Sequence, residues 1–346
     1  MHDQKKLLYR NSLNKYVRIN CENSPDRKLG EFFCNKYLKE ITMKSFRLIK
    51  LSIIILIAVG AIQKTRAESI ESSSNKEVIT IESTRFATPL AEKWAKEYEK
   101  AYPGVDIVFV ENKSSNETAD LSLVGYIESE KFNNRQGKLT NAGRFALLPI
   151  TNADNPYLKE FNKKRLNTKA IKELFFENGE FGESTDSKKK LDYEVTIYSG
   201  NNSDSFAEAF ASHFGFLKAD LKGRKISGDD IFLINAIQKD NEGITFNNLS
   251  YIFDINTRSL KNGVALIPLD IRKDLREILE EADVDKTITL LENETIPLIP
   301  IENIGFISES NNQEAEKFIE WVLSEGQKYN REYGFLKAEY EQLANN

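Results

Sequence analysis

One stretch in the first third of the chain constrains the fold more than any other, because it combines a strand, a helix and a second strand within about 35 residues. The run EVITIESTRF is rich in β-branched residues and predicts the first strand. Leu90, Trp94 and Tyr98 then recur at helical spacing, Pro89 suits the first turn, and a Pro-Gly pair marks the end of the helix. The run VDIVFVE predicts the second strand. Such a unit predicts a parallel sheet covered by helices.

The second half of the chain repeats this order of elements. The run DYEVTIYSG predicts a strand, small polar residues occupy Ser199 to Ser205, and Phe206, Phe210 and Phe214 then form one face of a helix. We expect four further strands and a C-terminal helix, in the runs RFALLPIT, GITFNNLSYIF, GVALIPLDI, TIPLIPIENIGFIS and EAEKFIEWVLSEGQKYNREYGF. The sequence therefore predicts an α/β protein built from two similar halves.

The segment from Met43 to Ala67 has the features of a secretory signal peptide. A basic start precedes an apolar run from Leu51 to Ile62, and the segment closes on Thr-Arg-Ala. The apolar run is shorter than the roughly 20 residues of a membrane-spanning helix but fits a signal peptide. We expect cleavage after Ala67 and a periplasmic location; an uncleaved N-terminal anchor is the alternative. Residues 1–42 would then be an upstream extension, or Met43 the true start.

Charge and cysteine content limit the classes of function. Both cysteines, Cys21 and Cys34, precede the expected cleavage point, so a disulfide framework is excluded for the exported part. That part has 34 Lys and Arg against 48 Asp and Glu, a net charge of −14. A chain this acidic is a poor candidate for general nucleic-acid binding, which needs a basic surface.

Sequence motifs of enzymes are missing. His213 is the only histidine after Ala67, and no His or Cys pair has the spacing of a metal site. The run SLVGY lacks the first glycine of a nucleophile elbow, and KGRKISGDD lacks the Gly-Lys-Ser/Thr ending of a phosphate-binding loop. A hydrolase of phosphate esters would need a nucleophile and metal ligands that we do not find. We therefore expect no enzymatic activity and no cofactor.

The two polar turns offer a binding function. Ser83 and Thr84 precede one helix, and Ser199 to Ser205 precede another. The first backbone N–H groups of a helix lack intrahelical partners and favour an anion, and small hydroxyl residues add donors. Ordinary helix capping uses the same residue types and needs no ligand, so it remains the alternative.

These segments resemble the periplasmic phosphate-binding proteins of ABC transporters, which have the type II periplasmic binding protein fold. The run ITIESTRFATPLAEKWAKEYEKAYPGVDIVFV is similar to the first motif of that family. TADLSLVGY is similar to its Ala-Asp-Ile-Gly segment, and NTKAIKELFFENG to the segment that usually precedes the site between the lobes. AEKFIEWVLSEGQKYNREYGFLKAEY is similar to its ending. The resemblance covers about residues 76–341.

The resemblance implies two α/β lobes joined by two crossover strands, near Arg144 to Thr151 and near Asn262 to Ile271. Lobe one would combine residues 76–150 with 264–346, and lobe two would be residues 151–263. A ligand would be enclosed between helix N-termini of both lobes.

The resemblance also implies a ligand site and a partner. The candidate ligand-binding residues are Ser83, Thr84, Arg85, Asp120, Arg144, Ser199, Asn201, Ser203 and Asp204. The sequence departs from the family where hydroxyl residues are expected, at Val124 and Gly125, and the TIYSGNN turn has no arginine. We expect a monomeric protein that captures phosphate or a related oxyanion for the membrane subunits of an ABC transporter. The alternative is a sensor or interaction module of the same fold that no longer binds phosphate.

Overall fold

The structure is a computed structural model that describes residues 76–110, 119–125, 137–177, 194–202, 206–308 and 310–339. The described residues all belong to one compact unit, Ser74–Asn346. The predicted extension and signal peptide lie outside them, as do Ser203 and Asp204. Among the described residues, no helix combines the length and the apolar character that a membrane span requires.

The described part of this unit is an α/β structure in which helices flank a mixed sheet. The strands pair in the order β2-β1-β3-β9-β4-β7-β5-β6, and β8 pairs with β4. The strands are β1 (Glu77–Ser83), β2 (Val105–Phe109), β3 (Leu121–Val124), β4 (Lys138–Asn152), β5 (Thr196–Gly200), β6 (Arg224–Ile226), β7 (Gly243–Asn248), β8 (Val264–Leu266) and β9 (Ile301–Ser308). The helices are α1 (Thr88–Ala101), α2 (Leu158–Lys164), α3 (Thr168–Phe175), α4 (Phe206–His213), α5 (Ile231–Lys239), α6 (Leu249–Ile252), α7 (Lys273–Glu280), α8 (Val284–Asn293) and α9 (Gln313–Leu323).

The first βαβ unit forms as the sequence predicts. Strand β1 pairs in parallel with β2 and with β3. Helix α1 begins with Pro in its first turn, and it buries Leu90, Trp94 and Tyr98, the residues that recur at helical spacing. The Trp94 indole N–H donates to the Gly326 carbonyl at 3.0 Å, so the largest apolar side chain of the helix also satisfies its polar atom.

Strand β4 carries the chain from one part of the sheet to the other. Residues up to Ala146 pair with β9, and those from Leu147 onward pair with β7. This change of partner falls inside the segment predicted as the first crossover. The second predicted crossover contains β8, which pairs with β4 at Ile150 to Asn152. The boundaries of the two lobes remain a prediction.

Several predicted elements are shorter than the sequence suggested, among them β7, β8 and the C-terminal helix. The strand predicted in GITFNNLSYIF ends at Asn248, because the Asn248 side chain accepts the Tyr251 N–H and starts α6. The C-terminal helix ends at Leu323 and is followed by two short 3₁₀ turns. The second of these ends at Gly334, whose φ of 81° lies in the left-handed region that favours glycine.

Candidate functional site

A small polar cavity lies where the turn after β1 meets the start of α4. Its volume is about 20 Å³, which is enough for a single water molecule. Both polar turns that the sequence analysis identified contribute to its wall. The lining residues are Thr84, Arg85, Phe86, Asn202, Phe206, Gly228, Asp229, Asp230 and Tyr251.

The turn after β1 is held in place by its own backbone. The Thr84 N–H donates to the Leu123 carbonyl on β3 at 3.0 Å, and the Thr84 carbonyl accepts from the N–H groups of Ala87 and Thr88. The Ser83 hydroxyl also donates to the Thr84 carbonyl, at 3.2 Å. Arg85 is exposed to solvent at the edge of the cavity. This turn therefore presents one hydroxyl group and one guanidinium.

A carboxylate of the protein itself occupies the N-terminus of α4. The Phe206 N–H, the first of the helix, donates to Asp230 Oδ2 at 2.7 Å, and Asp230 is only 7% exposed. An N–H group at this position is what would face a bound anion, and a charge-assisted bond to a carboxylate satisfies it. Asp230 therefore fills the position that the sequence analysis assigned to a ligand.

The residues around Asp230 make the cavity wall acidic. Asp229 accepts the Ile231 N–H at 3.0 Å and lies beside Tyr251. Burial raises the pKa of Tyr251, and its hydrogen bond to Asp229 raises it further. The Asn202 amide donates to the Gly228 carbonyl at 2.8 Å and accepts the Gly228 N–H at 3.2 Å, which fixes the loop that carries both aspartates.

Aromatic rings close the space next to the cavity. The Phe86 ring meets the Phe206 ring edge-on, with ring centroids 4.8 Å apart, and the Phe145 ring in the same way at 5.2 Å. It also stacks on Phe335 at 6.0 Å. Phe86 comes from the turn after β1 and Phe206 from the start of α4, so this contact joins the two polar turns through apolar surface.

The structure brings some predicted site residues together and separates others. Thr84 and Arg85 line the cavity, and Ser83 is one residue away. Asn201 does not line it; its N–H donates to the Ile226 carbonyl, and its neighbour Asn202 is the lining residue.

Three other candidates have partners elsewhere. Asp120 accepts hydrogen bonds from the N–H and hydroxyl of Thr80 and from the Ser310 hydroxyl, and these bonds lower the pKa of Asp120 despite its burial. Arg144 donates to the Lys337 carbonyl and to Glu339. Ser199 is fully buried in β5, where Lys225 donates to its hydroxyl at 3.1 Å.

The sequence analysis missed the acidic half of the site. Asp229, Asp230 and Tyr251 are more than twenty residues from either polar turn, so only the fold brings them to it. A local signal did exist, since Gly228, Asp229 and Asp230 directly precede the apolar helix α5. Such a pattern indicates a helix start, but it does not indicate which other helix start it faces.

Comparisons with known proteins bear on the fold. No protein-family model and no curated protein matches the chain. A solved structure from Clostridium perfringens, described as a phosphate ABC transporter substrate-binding protein with bound phosphate, matches with a TM-score of 0.50 and 15% identity over 76% of this chain and all of its own. An ABC-type phosphate transport receptor from Vibrio cholerae matches with a TM-score of 0.49 and 14% identity, over 75% of this chain and all of its own. The OxyR2 regulatory domain of Vibrio vulnificus matches with a TM-score of 0.47 and 11% identity, over 75% of this chain and all of its own.

The likeness to the Clostridium perfringens structure confirms the predicted fold class. The chain has the α/β type II periplasmic binding protein fold, and the resemblance to phosphate-binding proteins is confirmed at the level of structure. An identity of 15% does not carry a ligand from one protein to another, because one fold supports many binding functions.

Proposed function

We propose that the chain is a non-enzymatic binding protein of the periplasm, in which the space between the two polar turns no longer takes free phosphate. It acts as a sensor or interaction module on the solute-binding fold. One observation carries this proposal: the Asp230 carboxylate accepts the first N–H of α4 at 2.7 Å. The helix end that would hold an oxyanion already holds an anion of the protein.

Electrostatics and space support the same proposal. A phosphate at this helix end would approach the carboxylates of Asp229 and Asp230. Two unit charges 4 Å apart repel by about 4 kcal/mol at the effective dielectric constant of a protein surface. Arg85 offsets part of this repulsion, but its side chain is exposed and therefore screened. A cavity of about 20 Å³ also requires Phe86 or Phe206 to move before phosphate can enter.

Phosphate capture for an ABC transporter is the second candidate function. One observation favours it: Thr84, Arg85 and Asn202 line one cavity, so donors from both polar turns face the same point. In this case Asp230 would leave the α4 N-terminus, and one carboxylate would accept the proton of the phosphate monoanion. The protein would then act with membrane subunits of a transporter.

Isothermal titration of the full chain with phosphate at neutral pH, with sulfate as the control anion, separates the two functions. We expect no heat of binding from either anion. Asp230→Asn removes one repelling charge and keeps an oxygen that can accept the Phe206 N–H, so any phosphate binding should be stronger in this variant. Asp106→Asn, a remote surface change, is its matched control. Phosphate binding at micromolar concentration by the unmodified folded chain, with sulfate rejected, would instead establish the transport function.

The proposed periplasmic location depends on the segment from Met43 to Ala67. If this segment is a cleaved signal peptide, the exported protein begins at Glu68, and mass spectrometry of the intact secreted chain measures that end. A chain that stays with the membrane and keeps residues 43–67 would contradict cleavage and support the anchor.

A further inference from the structure

A second cavity lies beside the point where β4 changes partner. Its volume is about 250 Å³, and none of its lining residues lines the polar cavity described above. Most of its wall is apolar, with Leu148 from β4, Val264 and Leu266 from β8, and Leu279 from α7. A cavity of about 150 Å³ accommodates benzene, so this one has room for about ten non-hydrogen atoms.

One charged side chain in the wall, that of Arg276, is buried. Arg276 is 9% exposed and lies on α7. Of its five N–H donors, one reaches the Ile271 carbonyl at 3.3 Å. The Arg276 Nε atom lies 3.3 Å from Glu280 Oε1, but within the described part of the chain it has no acceptor in hydrogen-bonding geometry. A buried N–H donor without an acceptor is costly, and a planar carboxylate is the acceptor that matches a guanidinium best.

Glu280 does not satisfy this requirement. Its side chain is half exposed, so water competes for its carboxylate, and its 3.3 Å contact with the buried Arg276 lacks hydrogen-bonding geometry. Because Arg276 lines the cavity, a ligand carboxylate there can supply an acceptor for the guanidinium.

We propose that this cavity binds a small apolar monocarboxylate, with its chain among the leucine and valine side chains and its carboxylate on Arg276. The chemistry of the wall selects this class of ligand. An apolar molecule without a charge would leave the guanidinium unsatisfied, and a small inorganic anion would leave the apolar wall uncovered. Octanoate, with ten non-hydrogen atoms, matches the available volume.

Titration of the full chain with octanoate, and with octan-1-ol as the uncharged control, tests the site. We expect octanoate to bind and octan-1-ol to bind at least about tenfold more weakly. Arg276→Gln should weaken octanoate binding by about 10- to 100-fold, the value of one charge-assisted pair. Ala265→Phe fills the cavity from β8 and should abolish binding without changing Arg276.

Hydrogen exchange of the unmodified chain gives a second readout that needs no variant to fold. We expect octanoate to protect backbone amides of β8 and α7. The absence of octanoate binding, equal affinity for octan-1-ol, unchanged affinity in either folded variant, or protection confined to other elements would each overturn the proposal.

Discussion

At the scale of single residues, Glu302 on β9 is the clearest source of pH dependence. It stands opposite Phe145 in the β4–β9 pair, on the face that carries the aromatic rings next to the polar cavity. Burial raises the pKa of Glu302 to about 7 from its usual 4.5. The folded state holds this proton more tightly than the unfolded state does. The carboxyl therefore does not lower the free energy of unfolding below pH 4.5, and it lowers it progressively as the pH rises from 4.5 to about 7. At pH 8 the full cost is about 3 kcal/mol.

Glu302→Gln should therefore stabilise the protein at pH 8 by up to about 3 kcal/mol and leave it unchanged at pH 4. Thermal or urea unfolding at the two pH values measures this difference. Glu325→Gln is the control, because the Glu325 side chain is 66% exposed. Equal effects of Glu302→Gln at both pH values would show that the Glu302 carboxyl is not the source of the pH dependence of stability.

At the scale of elements, Arg258 connects segments that are far apart in the sequence. It forms a bidentate pair with Asp285 at the start of α8, at 2.7 and 2.9 Å, and donates to the carbonyls of Arg331 and Glu332. This hydrogen bonding also holds the pKa of Asp285 below its usual value. By the predicted boundaries, Arg258 belongs to lobe two and its partners belong to lobe one, so these bonds oppose separation of the lobes.

Arg258→Ala should lower the free energy of unfolding by about 1–3 kcal/mol, between the values for exposed and buried ion pairs. Arg and Ala both carry a Cβ and meet the same steric penalty at the backbone φ of 62°, so the loss of stability reports mainly the lost side-chain bonds. Arg272→Ala removes an exposed arginine with two carboxylate neighbours and should cost less than about 0.5 kcal/mol. Urea unfolding measures both variants, and equal losses would contradict a connecting role for Arg258.

Some of these elements could be predicted from the sequence and others could not. The β1-α1-β2 unit was predictable because its signals are local: the spacing of Leu90 and Trp94 and the proline in the first turn. The end of β7 was not, because Asn248 is both the last paired residue of the strand and the N-cap of α6, and the apolar run continues past it. The Arg258 bonds to Asp285, Arg331 and Glu332 have no local signal, since these partners lie 27 and more residues away.

At the scale of the described α/β unit, the fold was predictable from the sequence and the chemistry of the site was not. Two polar turns before helices fit an anion site, and the fold does place Thr84 and Asn202 in one cavity. The sign of the local charge depends on the loop that precedes α5, and its position relative to α4 follows from the pairing of β5 with β6 and β7. A pattern of donors is therefore insufficient to identify a ligand until the neighbouring acceptors are placed.

Phe86 joins the two polar turns at the polar cavity, and we expect this contact rather than a bound anion to hold them together. Phe86 is 6% exposed and contacts aromatic rings from the α4 start, β4 and the C-terminal segment. Phe86→Ala should therefore lower the free energy of unfolding by about 3–5 kcal/mol, the cost of a large core truncation. Hydrogen exchange should also quicken at the backbone amides of Thr84 and Phe206, because the two polar turns lose their apolar contact.

Phe232→Ala provides the matched control, since Phe232 is 46% exposed and its loss should change stability by less than about 0.5 kcal/mol. If Phe86→Ala behaves like this control, the aromatic contact does not hold the turns together, and a bound anion becomes the better explanation of closure. If the amides exchange faster and phosphate added to the variant restores their protection, the cavity still has anion affinity that the ring conceals. Faster exchange that phosphate does not reverse would mean that side chains of the protein alone hold the two polar turns together.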